Sequence, residues 1–524
     1  MADRLAGEGR REYSAHMRNR MAVVSAILAV VLAGPALGAK VSPKPGAAGA
    51  GALELKWEPG LAEAGPTASF KYQVRAVPDG AGGVVLAWEE NRFRKACCHD
   101  LRDVYAQRFD AAGKPLWSVN DIVVAGEDAG EELVGLLPRA GGGALVLWRR
   151  DTTMFFAGEL TGSGTPLTEP RGRILSPCKG SCEWDPLSSF AVGTGGVSLA
   201  AWVERGKASQ LKVLRIVRAR DSFTYTSAEA VMGAEELRAA AAVPCGKEWL
   251  ALAWMSNPEG GSCISGMWLD GDAAPHGTVF MAASDGNHRW INMESVPAGD
   301  KGAFVLWSAV NPDSMGKTHQ LFLTQVRRLP DGSSEAKTSP VAQAKTSALY
   351  IPPPEMELDT TFTWTGRTHW MKSGPENLFW RRTSSLRAVG ARDCLVWWIS
   401  GDTIKLAGAE AGSKGPSIGK PVTVGASVDT GFSPFVAGLG GGRSLMVWSE
   451  KRNKTYRVLG RVFTAGQDGP RLLGKAVELQ KDSPEIPRWA AWADIGEGTA
   501  MLALSTLRDG GKSVSLKLGK LSWK

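Results

Sequence analysis

DGAGGVVLAWEENR, residues 79–92, runs from a glycine-rich turn through an unbroken β-forming apolar stretch to a tryptophan, Trp88. The phrase returns as RAGGGALVLWRRD at 139–151, GTGGVSLAAWVER at 193–205, CGKEWLALAWMSN at 245–257, GDKGAFVLWSAVN at 299–311, ARDCLVWWISGD at 391–402 and GLGGGRSLMVWSEKRN at 438–453. Its tryptophans, Trp88, Trp148, Trp202, Trp254, Trp307, Trp397 and Trp448, stand 60, 54, 52, 53, 90 and 51 residues apart. A repeat of that length is the span of one four-stranded propeller blade. The 63 glycines and 29 prolines suit many short strands joined by tight turns. The expected fold is therefore all-β, a single β-propeller of seven or eight four-stranded blades that absorbs most of the chain in one closed unit.

Two stretches bear on the blade count. GEGTAMLALST at 496–506 aligns with the phrase but carries Leu504 in place of Trp, which gives eight units. The long step between Trp307 and Trp397 holds an extra segment near 351–382 with Trp364, Trp370 and Trp380, either a degenerate blade or an insertion on a seven-bladed ring. The final strand, SVSLKLGKLSW at 513–523, is expected to close the ring against a strand opening near Leu53, where Leu53, Leu55 and Trp57 alternate with polar residues.

Residues 1–38 read as a signal peptide, because Arg18 and Arg20 precede the apolar stretch 21–32 and small residues follow up to a cleavage point after Gly38. An uncleaved anchor is the alternative. Residues 39–52, rich in Gly, Ala and Pro, read as a flexible linker, and the propeller occupies 53–524. These features place the protein outside the cytoplasm, secreted or periplasmic, with no transmembrane domain once the signal is removed. The formal charge of +8 falls to about +6 without residues 1–38, which hold five Arg and three acidic residues. So mild a surplus lacks the concentrated basic stripe of a nucleic-acid binder and suits acidic neighbours such as envelope polysaccharide.

The first repeat shows what a blade contains. Val84, Leu86 and Trp88 point to one side of a strand and Val85 and Ala87 to the other, a pattern for burial between neighbouring blades. DVYAQRFDAAGKPLW, residues 103–117, is a strand, a glycine turn and a strand. The pair GGVVLAW (82–88) and DVYAQRFDAAGKPLW resembles the repeat of secreted bacterial β-propeller proteins, whose blades carry a Gly-Gly, Val-x-Trp strand followed by an IYAQR-x-D-x-x-G-x-x-LW hairpin. Later blades keep the Trp strand and lose most of the hairpin, as in MFFAGELTGSGTPL at 154–167 and LGRVFTAGQDG at 459–469. What the resemblance implies is a propeller in an extracytoplasmic setting, with no activity attached.

Seven cysteines fit an oxidising compartment and leave at least one thiol unpaired in a monomer. Cys178 and Cys182 are spaced for a small local disulfide, and Cys245 and Cys263 flank one Trp strand as a second candidate pair. The run Cys97, Cys98, His99, Asp100 is the most metal-like sequence, but adjacent residues rarely converge on one ion, so no metal and no cofactor is expected. GPSIG at 415–419 has the spacing of a nucleophile elbow, yet it sits where a blade needs a hairpin turn. Carboxylate neighbours such as Glu89 and Glu90, or Glu131 and Glu132, face opposite sides of a strand. No catalytic residue is therefore assigned.

The repeated tryptophans read as core residues, while Trp364, Trp370 and Trp380 lie out of phase and are candidates for an exposed aromatic surface. Polar residues after each core Trp, at 89–92, 149–151, 204–205, 256–257, 311–313 and 450–453, should ring one face of the disc. Glu90, Arg92, Arg150, Glu204 and Arg452 are its candidate ligand-binding residues, against the plainer reading that each only solvates a turn. The functional expectation is a monomeric, non-catalytic binding or scaffold module at the cell envelope, with an envelope protein or polysaccharide as partner. The alternatives are a polysaccharide hydrolase or lyase on the same scaffold and a structural subunit of a surface assembly.

Overall fold

A computed structural model describes residues 55–523, except 66–68, 70, 93–101, 119, 127–129, 151–153, 169–171, 178–182, 185–188, 206–207, 220–221, 227–228, 235–236, 257–261, 286–290, 311–317, 346–383, 390–391, 430–431, 433, 466–468 and 509–512. The expected signal peptide and linker lie outside these residues, as do Cys97, Cys98, Cys178, Cys182, Trp364, Trp370 and Trp380.

Eight antiparallel sheets make up the chain, so the count is eight blades. Blade 1 is typical, with strands Lys71–Pro78, Val84–Glu90, Asp103–Phe109 and Ile122–Ala125 in order from the centre outward. The Trp phrase supplies the second strand of every blade: Val84–Glu90, Ala144–Arg150, Val197–Arg205, Glu248–Ser256, Gly302–Val310, Asp393–Ser400, Arg443–Arg452 and, with Leu504, Thr499–Arg508. Blade 8 takes its first three strands, Ile486–Gly496, Thr499–Arg508 and Ser513–Trp523, from the end of the chain and its outermost strand, Leu55–Ala64, from the beginning. That strand pairs antiparallel with Ser513–Trp523 from Leu55 opposite Trp523 to Ala64 opposite Leu516, as the sequence anticipates. Inside the closure, the first strand of blade 1 lies against the first strand of blade 8.

The core is a set of seams between blades. Val84, Leu86 and Trp88 pack against Ala491, Met501 and Leu518 of blade 8, while Val85 and Ala87 pack against Leu133, Val146 and Trp148 of blade 2. Both sides of this strand are thus buried, which is why it carries no polar alternation. Trp148, Trp202, Trp307 and Trp448, with Leu504 in blade 8, likewise face the preceding blade. Trp254 and Trp397 face the following blade instead, and Trp249 and Trp398 take the seam behind them. A shift of one residue in a period-2 element moves a side chain to the other side of the sheet, so the seven tryptophans share burial but not one orientation.

The hairpin of blade 1 shows what its repeated residues do. Asp110 Oδ1 accepts the N–H groups of Ala112 and Lys114 at 2.9 and 2.8 Å, fixing a turn in which Gly113 adopts φ +80°. Arg108 pairs with Asp79 at 2.8 Å and donates to the Gly162 carbonyl of blade 2, which also accepts the Trp117 indole N–H at 2.9 Å. The hairpin is a strap between blades.

One sequence expectation fails here. Cys245 and Cys263 are free thiols. Cys245 pairs with Glu248 and Cys263 with Met255, at opposite ends of the second strand. Seven residues of strand span roughly 23 Å at about 3.3 Å per residue, far beyond the roughly 6 Å between Cα atoms of a disulfide.

The ring closure has a specific weak point. Gly519 lies beneath the Trp57 indole, and a Cβ there would come within 2.1 Å of the ring. Gly519→Ala is expected to unseat Trp57 and destabilise the protein by about 1–3 kcal/mol, read as a lower midpoint in urea unfolding. Wild-type stability in that variant would show that Trp57 does not seat on residue 519.

Candidate functional site

The two faces of the disc are built differently. One carries the turns between the first and second and between the third and fourth strands of each blade. Many of these begin in tight turns closed by their own hydrogen bonds, although the third-to-fourth connections of blades 1, 2 and 4 run on through 110–121, 161–172 and 270–279. Asp79 N–H to Gly83 O (3.0 Å), Arg139 to Gly143 (2.9 Å), Ala298 to Gly302 (2.8 Å), Asp110 to Lys114 (3.0 Å), Asp270 to Ala274 (2.9 Å) and Leu329 to Ser333 (2.9 Å) are examples. The opposite face carries the ends of the second strands and the connections from one blade to the next. The longest connection between strands, 346–383, leaves and rejoins the sheets on this side, as does 91–102. Chain insertions gather where a scaffold presents loops to a partner.

Beneath this face, over blades 8, 1 and 2, runs an arc of buried charges. Glu90 is fully buried and accepts four hydrogen bonds, two from the Arg92 guanidinium at 3.1 and 2.8 Å, one from the Trp88 indole N–H at 2.7 Å and one from the Ser69 hydroxyl, with the Lys71 ammonium paired to it at 3.9 Å. Arg92 also pairs with Asp121 at 2.8 Å and lies 4.1 Å over the Tyr105 ring. Lys71 donates to the Val514 carbonyl of blade 8 at 3.1 Å, so this cluster spans the ring closure. Next to it, fully buried Glu89 accepts from Arg102 at 2.7 Å and from the Leu133 N–H of blade 2 at 2.8 Å. Arg102 stacks over Tyr72 at 4.3 Å, and Tyr72 meets Trp489 of blade 8 edge-on at 5.9 Å. In blade 2, Glu131 pairs with Arg150 and Glu132 with Arg149, each directly across the first two strands. In blade 8, Glu485 is flanked by Arg508 at 3.0 Å and Lys517 at 2.9 Å.

A local rule emerges. In blade 7, the Trp448 indole N–H donates to Glu450 at 3.1 Å and Arg457 clamps the same carboxylate at 2.6 Å, repeating the arrangement of Trp88, Glu90 and Arg92. Two residues along a strand return to the same side, so Trp-x-Glu aims the acid at its own tryptophan. Burying an acid in this way is tolerable only with a charged partner and saturated hydrogen bonds.

The sequence candidates therefore divide. Glu90, Arg92 and Arg150 lie together in the arc, but inside it, as struts rather than ligand contacts. Glu204 is half-buried and faces Lys212 at 3.6 Å. Arg452 alone of the described candidates is exposed, at the tip of the blade 7 hairpin. The solvated-turn reading of residues 89–90, 149–150 and 450 is overturned: all are buried. Lys71, Arg102 and Asp121 escaped the sequence reading because they come from other strands and loops and meet the Trp-x-Glu carboxylates only in three dimensions.

Burial pushes the Glu89 carboxyl up to about 7, with nearby Glu132 adding to the rise and Arg102 and the Leu133 N–H opposing it. Burial likewise lowers the Lys71 ammonium against the pull of Glu90. Glu89 is a tuned acid, but it has no exposed surface and its two oxygens are both engaged.

No protein-family model and no curated protein matches this chain. Among solved structures it is similar to the WD40 domain of SCAP from fission yeast, at 7% identity and a TM-score of 0.41 over 90% of this chain and 98% of that one. It is also similar to the Hadza microbial sialidase Hz136, at 7% identity and 0.35 over 71% and 75%, and to the Aleuria aurantia lectin, at 11% and 0.32 over 67% and 96%. Such remote likenesses carry no function across, and the architecture rests on the strand pairing itself.

The raised Glu89 acid gives a pH signature. Its folded pKa lies above the unfolded value, so its contribution to stability is present below about 4.5 and is lost as pH rises through about 7. Thermal midpoints of the wild type against Glu89→Gln are expected to show a decline between pH 5 and 8 that the variant flattens. Identical profiles would contradict the assignment.

Proposed function

We propose that this chain is a non-catalytic, secreted or periplasmic propeller that binds or scaffolds an envelope protein or polysaccharide through its long-loop face. The observation that carries the reading is that the longest connection between strands, 346–383, joins the sheets on the face opposite the hydrogen-bonded hairpin turns. The segment 346–383, which carries Trp364, Trp370 and Trp380 in sequence, leaves after Ser334–Lys345 and returns at Ser384–Ala388, so both of its ends meet the sheets on this face. The extracytoplasmic setting is supported by residues 1–38 and by the repeat resemblance. Among the described residues, no helix is long and apolar enough to cross a membrane.

A hydrolase on this scaffold would need two carboxylates free to approach a substrate from opposite sides. The perturbed acid Glu89 favours that reading, but Arg102 and the Leu133 N–H occupy it, and Arg149 holds Glu132. A structural subunit would offer a large apolar patch. The large exposed apolar residues among those described, including Leu116, Val123, Leu167 and Ile174, lie along the rim rather than on the loop face.

Affinity capture from an envelope extract and a glycan array, run on residues 40–524, test the reading. Replacing 346–383 with a short Gly-Ser linker is expected to abolish captured binding while leaving the thermal midpoint within a few degrees. Lys114→Glu, on the tight-turn face, is expected to leave binding intact. The reverse pattern would put the binding surface on the other side of the disc.

A further inference from the structure

Charges on the long-loop face come in two kinds. Over blades 8, 1 and 2 they are sunk and paired. On blade 7 they stand out. Its second and third strands, Arg443–Arg452 and Thr455–Thr464, stay paired through Lys451 opposite Tyr456 and Arg452 opposite Thr455, two pairs beyond the Glu450 level at which the second strand of blade 1 ends. The ladder turns back through Asn453, at φ +54°, and Lys454. Lys451, Arg452, Asn453 and Lys454 are all exposed, and so is Lys481 on the neighbouring outer strand Arg471–Ser483.

This projection is braced. Thr455 Oγ1 donates to the Arg452 carbonyl at 3.0 Å, and the chain entering blade 7 runs alongside, with Asp429 N–H to Ser449 O at 2.8 Å and Lys451 N–H to Ser427 O at 3.1 Å. Beneath, the Trp448, Glu450 and Arg457 clamp locks the base, with Glu478 on the second arm of Arg457 at 3.3 Å. Glu450 and Glu478 are thus engaged by Arg457. No ion pair joins Lys451, Arg452, Lys454 or Lys481 to an acid among the described residues, and Asp482 is the one acid adjoining Lys481 along the strand. Three exposed cations on a rigid hairpin, with a fourth on the strand beside it, make a local field stronger than the overall charge suggests.

The geometry points to this hairpin as a docking element for an acidic glycan, a polymer bearing carboxylates or phosphates. The inference rests on the long-loop face being the binding face and names the ligand chemistry there. Lys451 Nζ lies 5.5 Å from the Tyr456 ring centre, and that half-buried ring beside the cations offers a sugar a flat apolar surface as well as charge. An anionic membrane is the weaker occupant. Peripheral membrane segments add apolar side chains to their basic ones, and none of the large exposed apolar residues among those described lies on blade 7.

Residues 40–524 and a Lys451→Glu, Arg452→Glu, Lys454→Glu variant would be titrated onto immobilised polygalacturonate, onto neutral dextran and onto phosphatidylglycerol vesicles. A Lys→Gln, Arg→Gln version of the variant guards against misfolding, with thermal unfolding as the control. Expected are saturable, salt-sensitive binding to polygalacturonate, none to dextran, and a loss of at least about tenfold in both variants, since exposed charges are each of modest worth and add. Wild-type protein that ignores polygalacturonate, or binds only vesicles, overturns the inference. Variants that bind as wild type, in a protein whose binding disappears when 346–383 is replaced, overturn the hairpin assignment and leave the binding face standing. Binding that survives both changes removes both.

Discussion

The antiparallel ladder between Leu55–Ala64 and Ser513–Trp523 converts eight sheets into one body. Every blade buries apolar residues on both sides, so each needs two neighbours, and a row of blades would leave two such surfaces bare. Joining the ends of the chain in blade 8 removes both. The seam between blades 8 and 1 is reinforced by packing, through Trp88 against Met501 and Leu518, and by polar contacts, through Lys71 to the Val514 carbonyl. A long chain thereby depends on a ten-residue strand near its start.

Closure also explains where the charges sit. At the seams of blades 8, 1 and 2, strand ends from neighbouring sheets bring acids and bases into a region that water scarcely reaches. Glu90 survives there because Arg92, Trp88, Ser69 and Lys71 surround it. Such clusters add little net stability over an apolar filling, but they penalise mismatched arrangements, because a displaced partner strands a buried charge. The arc therefore fixes the register of blades 8, 1 and 2 against one another and gives the long loops a firm base. Blade 7, with the same Trp-x-Glu base but a taller hairpin, turns that support into an exposed basic tip.

Much of the fold is legible in the sequence because its signal is periodic. The Trp phrase marks the second strand of each blade, Leu504 marks the eighth, and the alternation at Leu55 and Trp57 marks the closing strand. What the phrase conceals is phase: Trp254 and Trp397 look equivalent to Trp88 but stand one position off and fill the opposite seam. The site is less legible. Glu90 and Arg92 read as residues of a polar turn because a single strand does not reveal that Lys71, Ser69 and Asp121 converge on them. The candidate bridge between Cys245 and Cys263 fails for a related reason, since short separation along a hairpin says nothing about which end of the strand each residue occupies. Arg452, by contrast, is exposed because a two-residue turn carries it beyond the buried level.

Native-state hydrogen exchange of residues 40–524 over a range of low denaturant concentrations tests the central claim, that closure makes the eight blades a single cooperative unit. Amides of Leu55–Ala64, Ser513–Trp523 and Val84–Glu90 are predicted to share one opening free energy and one dependence on denaturant, as segments exposed only by global unfolding do. Exchange of Leu55–Ala64 and Ser513–Trp523 at much lower free energy, with Val84–Glu90 still protected, would show a ring that holds together without its closing ladder and would contradict the account.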